Sequence, residues 1–320
     1  MAGRGAWRRI LHIVGIVLGL ALLAQQTWQG YIAIQQVETC AVRPSYFAGV
    51  LGLYVAAYFV QIIAWALIMR SLQAPLSPSA LLKGYAISFL PRYIPGTVWG
   101  YLSRNEWLAQ THGISYSVST TASLLEAGLL LVTAVALGAF YWVDVMWKVP
   151  VALLGLVTIG MTWVAVPWLA SCFSGKRLQL SLADLPRFTL PGFALPRFDS
   201  QHWRLGVWTV ILYLLFWVLQ GGAILYASTT LCVNAPVGLL EAMAAVSLSW
   251  ALGFVILFVP AGLGVREWSL SALLVNFAQL EPGIAAMVAV ISRVALICAE
   301  IVVLLIGLQI YIRGWWSKRA

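Results

Sequence analysis

The chain is predicted to fold as an all-α, polytopic integral membrane helix bundle with two internal halves, each holding a re-entrant or broken helix. Three observations point there. Hydrophobic residues fill 62% of the 320 positions and charged residues 9%, with a mean hydropathy of +0.92; a water-facing surface needs far more charge than that. Apolar runs of spanning length recur along the whole sequence. Two Pro/Gly interruptions of similar pattern, one in each half, break apolar sequence and are each followed by Arg, Glu and Trp, the arrangement that transporters with internal repeats use at their binding sites.

A spanning helix needs about 20 apolar residues. Residues 10–34 are the first such run, preceded by Arg4, Arg8 and Arg9. That front resembles a secretory signal, but Gln25, Gln26 and Gln29 follow without a small-residue cleavage site, so a retained first helix is expected. Residues 46–69 form the second run. Residues 84–108 hold Pro91, Arg92, Pro95 and Gly96 at their centre and are broken, and runs at 116–142 and 149–172 complete the first half. The polar interval that follows is a loop by length, and it divides one transmembrane domain (1–320) into halves of about 1–175 and 205–320. Inside this 176–204 loop the pattern Leu-Pro-Arg-Phe recurs at Leu185 and Leu195, with Leu190-Pro191-Gly192-Phe193 between them. Proline at every fifth position forbids a helix and favours an extended linker. Runs at 205–231, 237–259 and 284–312 build the second half, with a short helix at 264–281 that starts at the second interruption.

Orientation follows from Lys and Arg placement. If residues 84–108 cross once, Lys176, Arg177, Arg187, Arg197 and Arg204 all fall outside. If they dip in and return, 13 basic residues lie inside, against Arg43 and Lys148 outside. The hairpin is favoured, with both termini cytoplasmic in a multi-pass cell-membrane protein. The net charge of +9 is then a cytoplasmic fringe facing anionic lipid, and nucleic acid binding is not implied.

The interruptions carry the chemistry. Pro95 and Pro260 each remove a backbone donor and free carbonyls that lipid cannot satisfy, so that backbone must lie beside water or protein. Gly96, Gly100, Gly262 and Gly264 allow tight bends. New helices are expected to begin around Thr97 and Val265, with N-terminal amides suited to an anion. Arg92, Arg104 and Arg266 offer guanidinium forks for a phosphate, and Glu106 and Glu267 are placed to orient them or to meet a headgroup cation. Trp99, Trp107 and Trp268 suit headgroup depth.

Four further charges lie within apolar runs, where each needs a reason. Glu126, Glu241, Arg293 and Glu300 are expected to pair between helices, for instance Glu126 with Arg293, or to couple transport to protons. Arg293 and Glu300, seven apart, share a face. Cys40, Cys172, Cys232 and Cys298 show no metal spacing, no cofactor is implied, and a disulfide between Cys40 and Cys232 is open because both fall toward the outer face. Asp144, Asp184, Asp199, His112 and His202 are isolated, which argues against an enzyme. No GxxxxGK[ST] loop occurs.

The runs Pro91-Arg92-Tyr93-Ile94-Pro95-Gly96-Thr97-Val98-Trp99-Gly100 and Pro260-Ala261-Gly262-Leu263-Gly264-Val265-Arg266-Glu267 resemble the signature segments of the lysylphosphatidylglycerol synthase transmembrane, or flippase-like, family. Ala261 departs from the glycine expected there. The resemblance implies movement of an anionic or aminoacylated phospholipid, or a polyprenyl-phosphate lipid, between leaflets. The last run ends shortly before Ala320, so a stand-alone translocator without a soluble synthase domain is the expectation. The competing readings are an integral membrane enzyme or accessory subunit in lipid or glycolipid group transfer, and a scaffold for a partner synthase or glycosyltransferase.

Overall fold

The computed structural model describes residues 44–94, 98–173, 200–231, 237–256 and 259–316, with seven isolated helical positions between Val17 and Ile32. The expectations for the first span, the Leu-Pro repeats, Cys40, Cys232, Pro95 and Gly96 lie outside the described residues. Within them the chain forms nine α-helices and no strand: α1 Pro44–Ser71, α2 Pro78–Phe89, α3 Trp99–His112, α4 Tyr116–Trp142, α5 Val145–Phe173, α6 Ser200–Leu231, α7 Leu239–Val255, α8 Val265–Ala278 and α9 Pro282–Trp316. The all-helical membrane class therefore stands.

Five of these, α1, α4, α5, α6 and α9, are long and apolar enough to cross a bilayer. The others are short for sequence reasons. Ser77 caps α2 by accepting from the Ala80 amide, and Pro78 sits at the first helical position, where its missing N–H is harmless. Gly113, with φ 64°, ends α3, and Ser115 caps α4. The expected 237–259 span is corrected to a 17-residue helix. At 1.5 Å per residue α7 reaches about 25 Å, short of the roughly 30 Å hydrocarbon core. Its start is fixed by Glu241, whose carboxylate accepts from the Gly238 amide at 2.9 Å.

The short helices pair as two hairpins. A Cβ built on Gly84 would lie 3.3 Å from the Trp107 ring, and one on Gly100 would lie 2.7 Å from the Ser88 carbonyl oxygen. Position numbers fall along α2 as they rise along α3, so the chain turns back on itself between them. The same holds for α7 and α8, where Gly253 meets Gly262 and Arg266 while Val246 lies with Leu270. Each hairpin turns through a short 3₁₀ segment, Pro91–Tyr93 in the first and Pro260–Gly262 in the second, and these two turns touch.

The halves repeat one order: long helix, hairpin, long helix. They also interlock. The fourth helix of the first half, α4, packs on its own α3 and on α7 of the other half, and α9 packs on its own α8 and on α2. The leading helices α1 and α6 lie against each other. Lipid gives apolar side chains little reason to leave it, so close helix approach depends on small residues and polar cross-links. Ala57, Ala64, Ala122, Ala134, Ala223 and Ala285 are fully buried, and Trp217 donates to Thr133 across α6 and α4 at 2.9 Å. Helix α5 covers chiefly α4 and exposes Leu153, Leu154, Leu156, Val157 and Met161, as a helix at the lipid margin does.

Candidate functional site

The two hairpins and the long helices beside them bring four arginines and three glutamates into one cluster, buried except for the half-buried Arg92 and Arg266. A cleft of about 100 Å³ between the halves is lined by Arg92, Arg104, Arg266, Arg293, Glu126 and Glu300. Behind it a smaller cavity of about 20 Å³, reached by Arg266 and Arg293, adds Glu267, Ser249 and Ser292, room for about one water molecule. Burying charge at this depth is costly unless it is paired.

Most of it is. Arg104 and Glu126, each almost fully buried, meet at 2.5 Å. Tyr85 also donates to Glu126, Arg104 donates to Ser123 at 3.2 Å, and the guanidinium lies 4.3 Å from the centre of the Trp65 ring, a cation–π contact. Glu300 accepts from three groups: Tyr58 at 2.6 Å, Tyr93 at 2.7 Å and Arg92 at 3.3 Å. Since Tyr93 and Arg92 belong to the first turn and Glu300 to α9, this carboxylate ties the halves together. Glu267 accepts from the Gly264 amide at 2.5 Å and lies 3.1 Å from Arg293 Nε.

Arg104 Nε is left without a hydrogen bond among the described residues, and more is left open on the side of Arg266 and Arg293. The Arg293 Nε contact with Glu267 is an ion pair misaligned for a hydrogen bond, and Arg293 Nη2 has no partner among the described residues although the side chain is only 6% exposed. Arg266 makes no ion pair or hydrogen bond among the described residues. Its stem occupies the place a side chain at Gly253 would take, since a Cβ there would fall 2.2 Å from Arg266 Cγ. Opposite it, Gly262 at φ 65° and Ala261 at φ 49° hold the turn in the left-handed region, and glycine adopts it without the Cβ penalty. The remaining wall is aromatic, with Trp250 and Phe254 stacked at 5.0 Å and 10°.

Of the residues singled out in sequence, the cleft gathers Arg92, Arg104, Arg266, Glu126, Arg293 and Glu300, with Glu267 in the cavity behind. The expected pairing of Glu126 with Arg293 is corrected. Arg104 takes Glu126, because α3 packs on α4, and Glu267 takes Arg293, because α8 packs on α9. Glu106 does not join: it is exposed on α3 and accepts from Gln110 at 2.5 Å and from Tyr116. Glu241 serves as the cap of α7. The first new helix begins at Trp99 and the second at Val265, and the Gly264 amide at the start of α8 is taken by Glu267. Trp99 and Trp268 are exposed, whereas Trp107 packs on Gly84 and His112.

Sequence reasoning missed the neutral partners. Tyr54, Tyr58, Gln61 and Trp65 follow steps of four, three and four along α1, one helix face, and that polar stripe in an apolar run was the available signal. Tyr54 hydrogen-bonds Ser292, and Gln61 donates to Glu126 at 3.4 Å. Among the described residues no group of three His, Cys, Asp or Glu is placed to hold a metal.

No curated protein matches the chain. A family model described as the lysylphosphatidylglycerol synthase TM region matches residues 10–307, which takes in both hairpins and every charged residue of the cleft. The chain therefore belongs to the lysylphosphatidylglycerol synthase transmembrane-region family, a membrane family associated with lipid modification or transport.

Proposed function

We propose that this protein moves lipids between leaflets, admitting an anionic headgroup to the cleft between its two hairpins. The observation that carries the reading is the unmatched guanidinium of Arg266, with Arg293 Nη2 beside it, in a cleft built from broken helices. A bare cation at that depth is unfavourable. A phosphate oxygen supplies what both groups lack, in the planar geometry that arginine prefers.

The topology supports the same reading. With a cytoplasmic N-terminus and each hairpin returning to the side it left, α2 and α3 enter from the cytoplasm and α7 and α8 from outside. Touching turns then meet near mid-depth, and the halves form an inverted pair. A headgroup held there is accessible to either side as the halves rock, while its tails stay in lipid. With no nucleotide loop in the sequence, we take the movement to be downhill exchange or driven by an ion gradient or the membrane potential.

The test is leaflet exchange of fluorescent lipids in liposomes containing the purified chain. Exchange of an anionic phosphodiester lipid is expected to rise above that of empty liposomes and to fall to their level in Arg266→Ala. Exchange at the wild-type rate in Arg266→Ala would remove the arginine from the path and the proposal with it.

A further inference from the structure

Counting charge in the cluster selects among headgroups. Arg92, Arg104, Arg266 and Arg293 face Glu126, Glu267 and Glu300 across the cleft and the cavity behind it. Guanidinium does not lose its proton in proteins, and each of the three carboxylates lies within ion-pair distance of an arginine. Four positive groups against three negative ones leave one positive charge among the described residues. Its seat is the Arg266–Arg293 corner, where Arg293 Nη2 has no hydrogen-bond partner and Arg266, alone of the four arginines, has no ion pair among the described residues.

Resting on the translocation reading, we infer that the lipid accepted here carries a single net negative charge, as a phosphodiester headgroup does. In a low-dielectric cleft the occupied state is most favourable when it is neutral. A phosphodiester brings the cluster to zero. A phosphomonoester or diphosphate overshoots and leaves a buried negative charge. A zwitterionic headgroup leaves the positive charge uncancelled, and an aminoacylated phosphodiester carrying an extra ammonium adds to it. The wall suits the assignment too: Tyr58, Tyr93 and Arg92 already donate to Glu300, so that carboxylate is engaged before any headgroup ammonium arrives.

The test uses tail-labelled lipids of one chain length in liposomes at about pH 8, above the second phosphate ionisation near 6. The panel holds a glycerol phosphodiester, a phosphomonoester, a phosphocholine and a lysyl ester of the diester. The diester is expected to exchange about tenfold faster than any other, the ratio set by a 1.36 kcal/mol difference in barrier. The decisive readout is the shift in preference. Arg266→Gln, which brings the cluster to zero, is expected to favour phosphocholine. Glu300→Gln, which raises it by one, is expected to favour the phosphomonoester.

Equal or faster exchange of the monoester or the lysyl ester by the wild type would overturn the charge match and leave translocation standing. So would an Arg266→Gln chain slowed equally for every lipid. If no lipid exchanges, translocation fails. The charge match is then decided by melting of the detergent-purified chain with short-chain forms of the same four lipids: stabilisation by the diester alone, lost in Arg266→Gln, retains it as a binding property, and any other pattern ends it.

Discussion

Arg104 and Arg266 both sit on the second helix of a hairpin and both reach the cleft, yet they differ in what holds them. Arg104 is boxed in by Glu126, Ser123 and Trp65, and its removal strands a carboxylate. Arg104→Gln is expected to cost about 3–5 kcal/mol of stability, read as a lower melting temperature in detergent, and Arg104→Met with Glu126→Leu together should recover most of it. Arg266→Gln breaks no pair, so its melting temperature should match or exceed the wild type's while exchange of the diester falls. Sequence spacing could have separated Arg104 from Glu106, the carboxylate expected to orient it: two residues apart on a helix, they face nearly opposite ways. It offered nothing on Glu126, because the partner of a helical charge is decided by which helices pack, and hydropathy does not record that.

Among the elements, the hairpins are where hydropathy reads least well. The runs behind α1, α4, α5, α6 and α9 announce themselves by length. The 237–259 run looks the same, and only the Gly238–Glu241 cap and the non-helical backbone at Ile256 show that α7 stops short. The second turn also has a conformational demand that no periodicity reports. Gly262→Ala should destabilise the chain by about 1–2 kcal/mol, because a side chain is forced into left-handed backbone against Gly253, and the melt measures it. Gly253→Ala acts differently. Its added methyl meets the flexible stem of Arg266, so exchange should fall several-fold with a smaller loss of stability than in Gly262→Ala.

At the scale of the molecule, α4 and α9 each brace one helix of both hairpins, so the halves cannot move independently without sliding along a shared support. The repeat was legible in the two interruptions, since Pro, Gly, Arg, Glu and Trp recur in order. The interlock was not, because it depends on contacts between residues more than a hundred positions apart. Joining the turns at 91–93 and 260–262 through a cysteine pair and a cleavable thiol linker, in a chain lacking its native cysteines, should stop exchange. Cutting the linker should restore it.

Glu300 has a kinetic consequence. Two phenols and a guanidinium close on that carboxylate from the opposing half, and separating the halves strips all three at once, with no lipid group in reach to replace them. Each passage then waits on the protein's own rhythm. Flux should level off as lipid is raised and climb steeply with warming, the mark of a turnstile rather than of an open slot.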